Sequence, residues 1–300
     1  MSRPPFCVPP AGVRAHRLAT RRGEFAVLDA GPAPGIPCAG TALLVPGYTG
    51  SKEDFIALLR PLAAAGFRAV AVDGRGQYET LGPGSRAAYG LGALAEDVLA
   101  QGEALAGGGP VHLTGHSLGG LIARGAVLRA MAAGTLPAPF ASLTLMASGP
   151  ARVARFQRWR VRLLVATLPV LGPSAVWRMW NPRPEAGEIG AFLRTRWLAH
   201  TPQQLLATGR TLRHEPDRVA RLAAAGLPVH VLSGERDGAW PVPLLDRMAR
   251  RLNARRTVIR DAEHSPNAEQ PEATAAALTD FWLTATSRPA PAGRRTAAPA

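Results

Sequence analysis

Residues 110–127 read PVHLTGHSLGGLIARGAV, and within this stretch the hydrophobic pattern changes abruptly from that of a strand to that of a helix. Residues 111–114 form a short run with apolar flanks, which is typical of a buried strand. Residues 118–129 have the pattern of a helix that begins immediately afterwards. The intervening GHSLG therefore has to turn the chain sharply, and Ser117 lies at the turn.

Ser117 must adopt a strained backbone in so abrupt a turn, and the strain requires neighbours without bulk, which Gly115 and Gly119 supply. The hydroxyl then projects free of the sheet. The backbone N–H of Leu118, at the positive end of the new helix, points toward the place where an oxyanion would form. This arrangement resembles the nucleophile elbow of α/β-hydrolases, and the resemblance implies a serine nucleophile with Leu118 as an oxyanion donor.

Two later loops resemble the loops that carry the acid and the base in the same family. Residues 233–238 read SGERDG, like the family's acid loop, and residues 261–267 read DAEHSPN, like its histidine loop. The order Ser117, Asp237, His264 matches the family order of nucleophile, acid and base. The resemblance therefore implies a catalytic triad of these three residues.

Other residues could replace two members of this triad. Glu235 and Asp261 are alternative acids, although Asp237 fits the loop pattern best. The remaining histidines are inside strands, adjoin the serine or belong to no motif: His16, His112, His116, His200, His214 and His230. His264 follows a strand near the C-terminus, from which it could reach Ser117.

A second oxyanion donor is implied by the loop after an earlier strand. Residues 41–45 are a continuous apolar run, typical of a strand buried on both faces, and residues 46–51 read PGYTGS. In α/β-hydrolases the corresponding loop is usually HGx or PGx, and its last residue gives the second oxyanion N–H. The resemblance implies Tyr48 for this role, and a plain glycine turn is the alternative interpretation.

The remaining elements predict an α/β-hydrolase fold, with a mostly parallel central sheet flanked by helices and a helical cap inserted after the sixth strand. The pattern predicts further strands at residues 25–28, 67–72, 142–147, 228–233 and 256–260, and helices at 52–64, 91–106 and 267–282. We expect a flexible segment at 1–24, a core domain at 25–150 and 227–286, a cap at 151–226 and a disordered tail at 287–300.

The predicted cap is rich in aromatic residues and arginine. We expect Trp177 and Trp180, together with Trp240, to line an apolar substrate pocket, although tryptophans in a cap can also simply seal it to the main domain. The arginine cluster at residues 152–162 could attract an anionic substrate or a membrane surface, and a solvated helix face is the favoured interpretation. The apolar residues 163–177 are interrupted by proline and glycine, which indicates a bent lid.

The composition is that of a globular protein. The 300 residues carry a net charge of +14, almost entirely from arginine, with Lys52 as the only lysine. Basic residues are scattered and accompany no nucleic-acid-binding motif, so we expect no nucleic-acid partner.

Cys7 and Cys38 show no disulfide or metal-type spacing. The chain has no apolar run of the length of a membrane span and no signal sequence, so we expect a cytoplasmic protein. Its oligomeric state stays open.

These features together predict a serine hydrolase that cleaves a small or medium apolar carboxylic ester through an acyl-enzyme intermediate. Serine at the elbow argues against haloalkane dehalogenase and epoxide hydrolase chemistry, in which related proteins use a carboxylate nucleophile. No metal or organic cofactor is required, and the expected partner is a small-molecule substrate. Thioester, lactone, amide or carbon–carbon cleavage on the same triad is an alternative, as is a non-catalytic ligand-binding protein.

Overall fold

A computed structural model describes residues 2–183 and 185–286, and its central element is one eight-stranded sheet. The strand order is β1-β2-β4-β3-β5-β6-β7-β8. Strand β2 is antiparallel to both of its neighbours, β1 and β4, and all other neighbouring strands are parallel to each other. The strands are β1 Val13–Thr20, β2 Gly23–Ala30, β3 Gly40–Val45, β4 Phe67–Val72, β5 Val111–His116, β6 Phe140–Met146, β7 Val229–Gly234 and β8 Arg255–Ile259. The predicted fold class, a mostly parallel sheet flanked by helices, is confirmed.

Helices connect the parallel strands and cover both faces of the sheet, which explains why β3 to β7 are buried along almost their whole length. Buried side chains of α1 and α10 form a core on one face, and those of α2, α3 and α8 form a core on the other. The helices are α1 Ile56–Ala64, α2 Leu91–Leu105, α3 Leu118–Ala132, α4 Arg155–Trp180, α5 Gly187–Ala199, α6 Pro202–His214, α7 Val219–Ala223, α8 Val242–Leu252, α9 Pro266–Glu269 and α10 Pro271–Thr286.

The prediction that residues 1–24 are flexible is wrong for the strand β1. This strand pairs with β2 along its whole length, from Val13 opposite Ala30 to Thr20 opposite Gly23. Because β1 lies at the edge of the sheet, nearly all its side chains face solvent and Leu18 alone is buried, so no hydrophobic pattern marks it as a strand. Main-chain hydrogen bonds hold it in place. The predicted disordered tail, 287–300, lies outside the described residues.

Helices α4 to α7 follow β6 and precede β7, in the part of the chain where we expected a cap. Buried side chains of α4, α5 and α6 pack together in a small core of their own. Helix α4 is broken at Gly172, with φ 72° and ψ 165°, as the proline and glycine pattern predicts. In the described part of the chain, α4 is the one helix long and apolar enough to cross a membrane, judged by length and composition alone.

Four histidines are buried inside this fold, and burial lowers the pKa of each because the charged form loses its hydration. The pKa falls to about 4 for His112, His116 and His200, and to about 3 for His230. Each ring makes one hydrogen bond, for example His112 Nδ1 with Ser142 Oγ at 2.8 Å. The folded protein therefore holds four neutral imidazoles at pH values where an unfolded chain would protonate them.

We expect the free energy of unfolding to fall steeply as the pH is lowered from about 6.5 to about 5. In this range the unfolded state takes up protons on these histidines and the folded state does not, so acid favours unfolding. Each histidine contributes a slope of up to about 1.4 kcal/mol per pH unit. Urea unfolding at a series of pH values measures the slope. The variant His112→Asn should reduce the slope by the contribution of one histidine. A free energy of unfolding that is constant over this pH range would contradict the prediction.

Candidate active site

Ser117 lies between the last residue of β5 and the first residue of α3, in the strained backbone that the sequence predicts. Its φ of 56° and ψ of −119° are outside the regions that a side chain with a Cβ prefers, and such strain persists only where the surroundings fix it. The Ser117 N–H donates to the carbonyl of Met146 at 2.9 Å. A Cβ added to Gly119 would collide with the carbonyl oxygens of Val45 and Pro46, so only glycine allows α3 to approach β3 this closely.

The structure brings Ser117, His264 and Asp237 together in one hydrogen-bonded chain. His264 Nε2 is 3.0 Å from Ser117 Oγ, and His264 Nδ1 is 3.0 Å from Asp237 Oδ1. Because a carboxylate accepts, Nδ1 carries the proton, and Nε2 is left to accept from the serine hydroxyl. The loops after β5, β7 and β8 supply these residues, and all three loops leave the same edge of the parallel sheet.

The Asp237 carboxylate is held rigidly in the loop that follows β7. Its side chain is fully buried, and Oδ1 accepts hydrogen bonds from the backbone N–H groups of Ala239 at 2.7 Å and Trp240 at 3.2 Å. The two alternative acids are not at this position. Glu235 pairs with the neighbouring Arg236, and Asp261 is exposed in the turn after β8. Of the three carboxylates considered from the sequence, Asp237 is the one bonded to His264.

His116 contacts the histidine loop, which the sequence does not predict. Its Nε2–H donates to the backbone carbonyl of His264 at 2.8 Å, and the two rings lie 5.1 Å apart. The bond to a carbonyl fixes the tautomer with a proton on Nε2. Burial, reinforced by the charge of a protonated His264, lowers the pKa of His116 to about 4. The position next to the elbow serine is the one signal in the sequence that could have indicated this role.

Two backbone N–H groups flank Ser117 without an acceptor among the described residues, and they belong to Tyr48 and Leu118. Leu118 opens helix α3, so its N–H lies at the positive end of the helix dipole. Tyr48 follows Gly47, at which an added Cβ would lie 3.2 Å from the Cβ of Ser117. The Tyr48 hydroxyl donates to the carbonyl of Leu205 at 2.7 Å, which ties this loop to α6. The structure therefore places both predicted donors beside the serine.

A cavity of about 590 Å³ opens onto Ser117 and His264. Trp177 and Trp180 line it as predicted, and Trp197 lines it as well. Its other apolar lining residues are Val153, Val161, Leu164, Leu212 and Ala239. A volume of this size suits a small-molecule ligand.

The expectation that Trp240 lines the pocket is wrong. Trp240 is fully buried and is not among the lining residues. Its Nε1–H donates to the carbonyl of Ala151 at 2.9 Å, and its ring lies against Gly149 and 6.3 Å from the ring of His264. This tryptophan therefore supports the acid and histidine loops from behind and does not contact the cavity.

The described residues contain no group of three His, Cys, Asp or Glu side chains arranged to hold a metal ion. Cys7 and Cys38 are both free thiols. Neither cysteine lines the cavity at Ser117.

The doubly covered parallel sheet, with a serine elbow whose hydroxyl faces a histidine and a buried aspartate, defines a hydrolase of the α/β class. The chain belongs to the alpha/beta hydrolase family, whose model matches residues 42–277. No curated protein sequence is significantly similar to it.

Solved structures show the same fold. An esterase from Thermogutta terrifontis is 23% identical with a TM-score of 0.70, covering 91% of this chain and 99% of its own. An esterase from Exiguobacterium antarcticum is 17% identical with a TM-score of 0.71, covering 90% and 100%. E-2-(acetamidomethylene)succinate hydrolase is 21% identical with a TM-score of 0.66, covering 90% and 98%. These similarities extend over nearly the whole of each chain.

Proposed function

We propose that this protein hydrolyses carboxylic esters, with Ser117 as the nucleophile, His264 as the general base and Asp237 as the residue that orients the imidazole. The observation that carries the proposal is the 3.0 Å separation between His264 Nε2 and Ser117 Oγ, with Nδ1 of the same ring bonded to a buried carboxylate. As Oγ attacks the ester carbonyl, its proton moves to Nε2, and Asp237 stabilises the resulting imidazolium.

The two free N–H groups next to the serine supply the stabilisation that the attack requires. As the carbonyl oxygen acquires negative charge, the amides of Tyr48 and Leu118 donate to it from fixed positions. The imidazolium then gives its proton to the leaving alcohol, and an acyl group remains on Ser117. Water, deprotonated by His264, attacks this acyl-enzyme and releases the acid. Apart from the substrate and water, every group that acts in these steps is a side chain or a backbone amide of the chain itself.

The lining of the cavity supports an apolar acyl group or alcohol as the part of the substrate that is recognised. Trp177, Trp180 and Trp197 contribute large apolar surfaces, and the aliphatic residues beside them contribute more. Two of the solved structures with this fold are esterases, which agrees with an ester as substrate. Purified protein and p-nitrophenyl esters of increasing acyl length test the proposal. If no ester is turned over although a fluorophosphonate probe still reacts, the ester assignment is wrong.

We expect kcat/KM to rise with each added acyl carbon, by up to about fourfold per methylene, until the cavity is filled. The variant Trp180→Ala enlarges the cavity and should move the end of this rise to longer chains. Trp159→Ala is the matched control, because Trp159 lies on the same helix but is exposed and does not line the cavity. Steady-state kinetics across the ester series measures both. Equal profiles for the two variants, or a flat profile for the natural protein, would contradict this prediction.

A further inference from the structure

Helix α4 carries an apolar stripe on the side that faces away from the protein. Phe156, Trp159, Leu163 and Val170 are 65%, 60%, 37% and 81% exposed. They are spaced by three, four and seven residues, so they lie along one side of the helix. The buried residues Val161, Leu164 and Leu168 lie on the opposite side, toward the protein core. Helix α4 is therefore apolar on two faces, and residues 2–183 and 185–286 cover only one of them.

Arginines border the exposed stripe and are not neutralised. Arg155 and Arg162 lie along one margin and Arg160 along the other, as the helical repeat requires. Residues 152–180 contain six arginines and no aspartate or glutamate. No described carboxylate forms an ion pair with any of the six, and every carboxylate side chain of the sequence lies in the described ranges. The stripe is thus surrounded by uncompensated positive charge.

We propose that the outer face of α4 docks on the surface of an anionic phospholipid bilayer. Aromatic and leucine side chains enter the boundary between headgroups and acyl chains, while arginines at the margins bind the lipid phosphates. Guanidinium groups suit this contact because they form paired hydrogen bonds with phosphate oxygens. The helix lies along the surface and does not cross the bilayer, because its inner face is part of the protein core and Gly172 breaks it.

The same charges disfavour a second copy of this chain as the occupant of the stripe. In a two-fold dimer the same patch meets itself, so the arginines at the margins of one copy would face those of the other. Such pairing of like charges costs free energy, and the net charge of +14 adds to the repulsion. An anionic surface instead compensates the arginines and covers the apolar residues at once.

The docking face and the cavity share one helix. Gln157, Arg160, Val161 and Leu164 of α4 line the cavity that contains Ser117, while the stripe occupies the outer side of the same turns. The Arg160 guanidinium lies over the ring of Trp180, 5.4 Å from its centroid, at the boundary between the docking face and the cavity. A bilayer bound to the stripe therefore lies next to the wall of the cavity. The inference does not depend on which bond the site cleaves.

Binding to vesicles tests the inference. The variant Ser117→Ala is sedimented with vesicles of phosphatidylcholine alone, and with vesicles of equal parts phosphatidylcholine and phosphatidylglycerol, at low and high salt. We expect binding to the anionic vesicles, weakened by salt, and little binding to the neutral ones. If the protein stays in solution with anionic vesicles at low salt, the inference is wrong.

Two double variants assign the binding to α4. Phe156→Ser with Trp159→Ser should weaken binding at least about tenfold, and Arg155→Glu with Arg162→Glu at least about 25-fold, or about fivefold per arginine. The matched controls are Leu81→Ser, at another exposed apolar residue, and Arg247→Glu with Arg250→Glu on α8, which changes the net charge equally. Equal losses in test and control variants would overturn the assignment. The assignment would also be overturned if sedimentation equilibrium showed a dimer of the natural protein that the Phe156→Ser, Trp159→Ser double variant dissociates.

Discussion

Replacing Ser117 by alanine should lower kcat for every ester that the protein hydrolyses by on the order of 10⁶-fold, which leaves the rate near the limit of detection. The alanine side chain has no oxygen to form the acyl-enzyme, and the hydrogen bond with His264 Nε2 is lost with it. A fluorophosphonate probe, which reacts with an activated serine, should no longer label the protein. Active-site titration and intact-mass measurement of the labelled protein check both expectations.

The fold should survive this replacement, because the only hydrogen bond that the Ser117 side chain makes within residues 2–183 and 185–286 is the one to His264. Thermal unfolding of the alanine variant should therefore resemble that of the natural protein. Ser265→Ala is the matched control, since Ser265 also lines the cavity but lies on the histidine loop. That variant should keep its labelling. Labelling that persists in the Ser117→Ala variant would place the nucleophile elsewhere.

Replacing His264 by alanine should lower kcat at least about a thousandfold, because no other described histidine bonds to Ser117. Asp237→Asn should also cost a large part of the rate. The asparagine amide can present an N–H group toward Nδ1, which would favour the tautomer with the proton on Nε2 and remove the acceptor that the serine needs. Rates measured at saturating substrate, with labelling rates measured in parallel, quantify both effects.

The acid assignment has its own control in the histidine loop. Asp261→Asn makes the same chemical change at a carboxylate that the sequence alone leaves as an alternative. Its φ of 55° is one that asparagine also adopts readily. This variant should retain nearly the natural rate. If Asp261→Asn and not Asp237→Asn abolished turnover, the hydrogen bond between Asp237 and His264 would not be the catalytic one.

The sequence alone determined those features for which the residues of one short segment are sufficient evidence. The strands β3 to β7 are buried on both faces, which is why a continuous apolar run such as residues 41–45 predicts a strand of a mostly parallel sheet. The elbow at Ser117 is fixed by its immediate neighbours, because a side chain at Gly115 would collide with the backbone of Gly119 and Gly120, so only glycine at position 115 allows α3 to follow β5 so abruptly. The contact of Ser117, Asp237 and His264 is implied by the resemblance of their three loops to those of α/β-hydrolases, and the physical reason for it is that loops after parallel strands meet at one edge of the sheet.

Features that depend on contacts between distant segments could be decided only by the tertiary structure. An edge strand such as β1 is held by main-chain bonds to β2, and its exposed side chains leave no pattern. Trp240 and its neighbours in sequence do not reveal whether the ring faces the cavity or the loops behind it. The bond from His116 to the carbonyl of His264 joins residues 148 positions apart. For α4, composition predicts an apolar helix, but which face the core covers depends on how α5 and α6 pack against it. Hydrophobic periodicity records that a face is buried and not what buries it, so these relations arise only when the chain has folded.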